Sequence, residues 1–177
     1  MFKKTVYLGL LLLTACAQTP TTQYYRLPDS VFRQPENHHE QKTKIIRVEL
    51  DEGLSDNALM YQTSETNVHY THHHRWASRL NQDIANTLAN AANQRSNHTV
   101  YLPVGDCPCV VVHLNRFQGN YHGMVEISGY IAQQDADGKK HFQGAFSHQI
   151  QQQGDGYAAM VKALNQLLKD AVVLELP

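Results

Sequence analysis

Three groups of side chains in this sequence are of a type and spacing that could do chemistry: Cys16 behind Leu13-Thr14-Ala15, Cys107 and Cys109 on either side of Pro108, and His72-His73-His74 with His69 nearby. A cysteine behind a small residue and a short apolar run is the signature of a lipobox, because the small Ala15 lets the signal peptidase reach the backbone while the Cys16 thiol takes up a diacylglyceryl group. Cys16 is therefore the expected lipid-attachment site. Two cysteines one residue apart in an oxidising compartment can close a small disulfide, stay as free thiols, or do redox chemistry if one thiolate is accessible. Cys107 and Cys109 are read first as a possible disulfide. Imidazoles are common ligands of zinc and copper. Neighbouring side chains on an extended strand point to opposite faces, however, so only His72 and His74 could share an ion, with Tyr70 a poor third ligand. A solvated polar turn is the better reading of the triplet, and no metal is assigned. Asp135 and Asp137 resemble a carboxylate pair, but Gly138 directly after them marks a hairpin turn. No Gly-x-Ser-x-Gly elbow, phosphate-binding glycine loop or His-Glu-x-x-His motif is present. The reading is thus of a protein that is not an enzyme, with no catalytic residues and no cofactor.

The N-terminus supports the lipobox. Lys3 and Lys4 precede an apolar run from Val6 to Leu13 interrupted only by Gly9, far short of the roughly 20 apolar residues a membrane span requires. Residues 1–15 are expected to be a signal peptide, 16–23 a lipidated tether and 24–177 one folded domain. Ala17 stands after the cysteine where an Asp would hold a lipoprotein at the inner membrane of many Gram-negative cells. The expected location is the outer membrane, facing the periplasm. With 15 Lys and Arg against 16 Asp and Glu, scattered along the chain, there is no basic patch for a phosphate backbone, so nucleic acid is an unsuited partner.

The elements that must position these residues can be read from periodicity. Tyr24–Leu27 reads as a strand ended by Pro28, and residues 29–43 as a polar loop. Ile46, Val48 and Leu50 share one face of a strand closed by Asp51-Glu52-Gly53. Leu59–Thr63 and Asn67–Thr71 form a hairpin around Ser64-Glu65-Thr66. Leu80, Ile84, Leu88 and Ala91 recur at helical spacing, with Asn81, Asp83, Asn86 and Asn90 elsewhere on the wheel. Residues 110–117, 124–132 and 141–150 make an antiparallel meander whose middle strand alternates Val125, Ile127, Gly129, Ile131 with Glu126, Ser128, Tyr130. A last helix starts near Asp155, a candidate N-cap, and carries Tyr157, Met160, Val161, Leu164, Leu167, Leu168 and Val172 on one face. The expected fold is α+β: an antiparallel or mixed β-sheet with two amphipathic helices packed on it in a single domain.

Together, the lipobox, Tyr24-Tyr25-Arg26-Leu27-Pro28, the run from Leu59 to Ser64, Trp76-Ala77 at the opening of a helix, Phe117-Gln118-Gly119 and Gly154-Asp155-Gly156-Tyr157 resemble the ABC-type transport auxiliary lipoprotein family. The resemblance runs in order from Cys16 to Pro177, while the histidine triplet and Cys107-Pro108-Cys109 stand outside its pattern. It implies an outer-membrane lipoprotein that maintains envelope integrity by docking an MCE-domain protein of the PqiB type, whose stacked rings carry lipid between two membranes. It also fits a homo-oligomer, since one lipid anchor per chain becomes strong when several chains assemble. The competing reading is a stand-alone periplasmic metal-binding or redox lipoprotein using the histidines and Cys107/Cys109. Tyr121 and Tyr130, beside the amide-rich Gln149–Gln153 segment, are the expected interface residues. Trp76 is either a core aromatic or a third interface residue.

Overall fold

A computed structural model describes residues 20–35 and 42–177. The signal peptide and residues 16–19 of the tether, Cys16 among them, lie outside them. Eight strands and three helices follow in the order β1 (Gln23–Tyr25), β2 (Lys42–Leu50), α1 (Glu52–Ser55), β3 (Ala58–Gln62), β4 (Val68–Trp76), α2 (Leu80–Arg95), β5 (Thr99–Leu102), β6 (Cys109–Asn120), β7 (Met124–Gln134), β8 (Lys140–Gln151) and α3 (Gly156–Asp170). The α+β expectation holds, with a mixed sheet.

The long strand β6 is the spine. One edge pairs antiparallel with β7, which pairs with β8 to complete the meander. The other edge pairs with two strands in succession, both parallel: β2 along Cys109–Leu114 and β3 at Gly119–Asn120. The one-turn helix α1 fills the step between them, where Asp51-Glu52-Gly53 was expected only to close a strand. β4 returns antiparallel to β3, β1 adds parallel to β4, and β5 adds parallel to β2.

Both long helices cover one face of this sheet. Ile84, Leu88 and Leu164, Leu168 pack with Ile46, Val112, Leu114, Val125 and Ile127 in one main core. Fully burying such side chains stabilises by about 1.5–3 kcal/mol each relative to exposure. The asparagines of α2 differ from expectation, because they are not merely a solvent face. Asn90 is buried and donates to the carbonyls of Asp29 and Val31 while accepting from the Arg33 amide. Asn93 donates to the Tyr101 carbonyl and accepts from the Tyr101 amide, fixing β5, a strand the periodicity did not reveal. Polar residues that lower helix propensity thus serve here to satisfy the backbone of neighbouring segments.

The histidine triplet belongs to β4 and not to a turn. Met60 pairs with Tyr70, but Ala58 pairs with Arg75, so Leu59 faces an enlarged bulge containing Thr71 and the three histidines. Thr71 is buried at its base, and its hydroxyl donates to the carbonyls of Leu59 and His74. Trp76 ends β4 instead of opening a helix, and α2 starts at Leu80.

A tyrosine-lined cleft at one end of the sheet

Parts of two family-like motifs far apart in sequence, Tyr61 and Asp155-Gly156-Tyr157, meet at one end of the sheet. Tyr61 at the end of β3, Asn120, Tyr121 and Gly123 in the β6–β7 turn, Gln152 after β8, and Asp155, Gly156, Tyr157 and Met160 at the start of α3 line a cleft of about 390 Å³. Its walls follow from local chemistry. The Asn120 side-chain oxygen accepts the amides of His122 and Met124, which shapes the turn. Gln152 donates from its side chain to the carbonyls of Gly154 and Gly156 and from its amide to the Gly123 carbonyl, tying the two loops together. Gly154 and Gly156 have φ of +92° and +82°, a region open to glycine and costly for other residues, which explains both glycines of Gly154-Asp155-Gly156-Tyr157. Asp155 precedes α3 as expected but makes no side-chain capping bond.

Beside the cleft, Tyr25 Oη lies 2.9 Å from His74 Nδ1, and the His74 ring packs on Tyr157 at 4.1 Å. Burial, and then the neighbouring Tyr157, push the Tyr25 phenol above its ordinary value, so it stays a neutral hydrogen-bonding group. His74 is therefore taken up by tyrosines, while His69 and His72 face each other with ring centres 6.3 Å apart. The triplet does not converge on a point, and among the described residues no group of three or more His, Cys, Asp or Glu is placed to hold a metal ion.

Cys107 and Cys109 are joined in a disulfide at the opposite end of β6. They belong to a small second cluster, with Val111 and Ala132, on the sheet face that carries no helix. Tyr130 packs against this cluster, stacked on His113 at 4.6 Å, with Phe142 beyond it at 6.1 Å. His113 Nε2 lies 2.6 Å from Asp51 Oδ1. Burial alone would raise the Glu49 carboxyl, but the Lys140 ammonium 2.7 Å away, helped by His113, outweighs it and holds Glu49 below the usual range. Phe142 is 67 % exposed, an interface candidate that the β-pattern did not mark. Trp76, by contrast, is 4 % exposed and packs on Phe117. It offers no surface to a partner, because the sheet and helices enclose it.

The cleft is walled by the phenols of Tyr61, Tyr121 and Tyr157, the amides of Asn120 and Gln152, the Asp155 carboxylate and the Met160 thioether. The sequence from residue 25 to 173 matches the family described as the ABC-type transport auxiliary lipoprotein component. The chain belongs to that family. It is 31% identical over 173 residues to the intermembrane transport lipoprotein PqiC of Escherichia coli K12, covering 93% of this chain and 90% of that protein, and matches PqiC of Shigella flexneri equally. A solved structure of an uncharacterized protein shares the fold at a TM-score of 0.69 and 28% identity, covering 88% of this chain and 97% of the other. A Xanthomonas campestris protein of known structure shares the fold alone, at a TM-score of 0.60 and 13% identity over 86% of this chain and 91% of its own. Family and relatives point to transport and not to catalysis. No helix among the described residues is long and apolar enough to cross a membrane.

Proposed function

We propose that this chain is the outer-membrane lipoprotein of a Pqi-type intermembrane lipid transport system, acylated at Cys16, with its domain receiving the end of an MCE-protein tunnel. The observation that carries the reading is the family match along residues 25–173, with Tyr61 and Asp155-Gly156-Tyr157 of the family-like motifs meeting at the cleft. The helix-free face around Tyr130 and Phe142 is the docking surface in this reading, since it pairs an exposed aromatic with a charged rim of Glu49, Asp51 and Lys140. Among the described residues β8 pairs with β7 alone, which leaves an edge on which a second copy could align in a homo-oligomer.

The test is affinity purification of the full-length protein from membranes, with sucrose-gradient separation of inner and outer membranes. The expected result is outer-membrane sedimentation and co-purification of an MCE-domain protein. Sedimentation with the inner membrane, or purification with no MCE protein after cross-linking, would overturn it.

A further inference from the structure

The end of the sheet that holds the tyrosine cleft is also the end that the N-terminus of β1 faces. Gln62 pairs with both Val68 and Asn120, so the β3–β4 hairpin and the β6–β7 turn lie side by side. Met124 pairs with Gln151, which brings the β8–α3 connection to the same end. β1 begins at Gln23, opposite His74, and runs away from this end, as β4 does, so the first residue of β1 is the one nearest to it. Even fully extended, the stretch from Cys16 to Gln23 reaches at most about 25 Å.

The surface there is mostly uncharged polar, with imidazoles such as His69 and His122, and few formal charges, and it carries exposed apolar side chains among them. Val68 and Tyr121 are 45 % and 39 % exposed, while the Tyr70 hydroxyl lies back against Gly53. Lys and Arg are absent from residues 61–74, 117–123 and 150–157, which contribute only the carboxylates Glu65 and Asp155. Phenols with a wet hydroxyl and an apolar ring suit the headgroup layer of a bilayer, where burying a full charge would be costly. A few such side chains bind weakly alone but add strongly to an anchor that already holds them at the surface.

We propose that this end of the domain is itself a membrane-contact surface, with Tyr121 and Val68 seated in the headgroup region of the bilayer that holds the acylated N-terminus. The inference rests on the lipoprotein reading above and adds an orientation: the β6–β7 turn faces lipid, while Phe142, toward the far end of β8, faces away from it.

Acylated full-length protein carrying Trp76→Phe with either Tyr121→Trp or Phe142→Trp is reconstituted in vesicles of phosphatidylethanolamine and phosphatidylglycerol doped with brominated phosphatidylcholine. The Tyr121→Trp emission is expected to shift to the blue and fall to about half, as for a ring at headgroup depth, with Phe142→Trp unchanged. In the same vesicles, hydrogen exchange of the protein with its native residues gives a second readout: amides of 63–67 and 121–123 should exchange more slowly than in an unacylated Cys16→Ala protein, and those of 135–139 should not. Flotation with the vesicles, but with Tyr121→Trp unquenched and no such protection, overturns the orientation and leaves the anchor intact. A blue shift at Tyr121→Trp only when an MCE protein is added assigns the surface to protein and overturns it as well. A mature chain that carries no acyl mass and does not float overturns both readings.

Discussion

A Cβ built on Gly129 would stand 1.8 Å from the backbone carbonyl oxygen of His113. β6 and β7 are so close at this register, just before the bulge at Asn115, that only glycine fits. At Gly119 a Cβ would instead meet the Met160 thioether at 2.7 Å, a flexible group that can move, and at Gly144 it would meet nothing within 4 Å. A graded series follows: Gly129→Ala should cost on the order of 3 kcal/mol or more, Gly119→Ala about 1–2, and Gly144→Ala should stay within about 0.5 or gain slightly. Urea midpoints check it, and equal losses at Gly129 and Gly144 would contradict the strand spacing.

Leu164 is fully buried in the main core, so Leu164→Ala should cost about 2–5 kcal/mol. The histidines divide. His72 and His73 are exposed, and changing both to Asn should stay within about 0.5 kcal/mol. His74→Asn removes the Tyr25 contact and the Tyr157 packing and should cost about 1 kcal/mol. Thermal melts of the three variants decide between this division and a uniformly solvated triplet.

The meander and the two long helices were legible because their signals are local: alternation in Val125–Ile131 and helical spacing from Leu80 to Ala91 do not depend on distant partners. The parallel pairings of β2 and β3 on β6 were not, since parallel register is set by contacts remote in sequence. The bulge at Thr71 hid the continuation of β4 because its extra residues break the period of two. β5 is short and is held by its parallel pairing with β2 and by Asn93, partners outside it that no strand pattern announces. At the cleft, the motif from Gly154 to Tyr157 was visible as a motif. Its partners Tyr25, Tyr61 and His74 come together only in the fold.

The Asp29 carboxylate accepts the Asn165 amide at 2.9 Å and lies 2.9 Å from Lys169 Nζ. Asn165 first and Lys169 second hold its carboxyl below the usual range, against a smaller opposing effect of burial. A depressed folded pKa means stability that is fully present above the unfolded value of about 4 and is lost as pH falls through the folded value. Asp29→Asn should therefore lower stability near neutrality and flatten the decline in acid. Melting temperatures from pH 7 to pH 2 test this, and an unchanged acid slope would refute it.

Without the Cys16 thiol there is no acceptor for the diacylglyceryl group, and lipoprotein-specific cleavage cannot follow. Cys16→Ala should leave an uncleaved precursor or a soluble protein. Intact mass and membrane fractionation report this, and an acylated variant in the outer-membrane fraction would rule it out.

The docking reading places the MCE protein on the helix-free face. Phe142 is the cleaner probe of that face, because it is mostly exposed and its loss disturbs little packing, whereas Tyr130 is half-buried against His113. A carboxylate at position 142 would have to be desolvated in an interface core, while the nearby Lys140 ammonium is already paired with Glu49. Phe142→Asp is thus expected to weaken capture of the MCE protein by about tenfold or more, with fold and anchoring unchanged. Tyr130→Asp should do the same but also lose stability, since it gives up the His113 stacking and sets a third carboxylate beside Glu49 and Asp51. Measuring both variants in matched membranes separates the two effects. If Phe142→Asp captures its partner and complements a deletion as well as the unaltered protein does, the helix-free face is not the docking surface, whatever Tyr130→Asp shows.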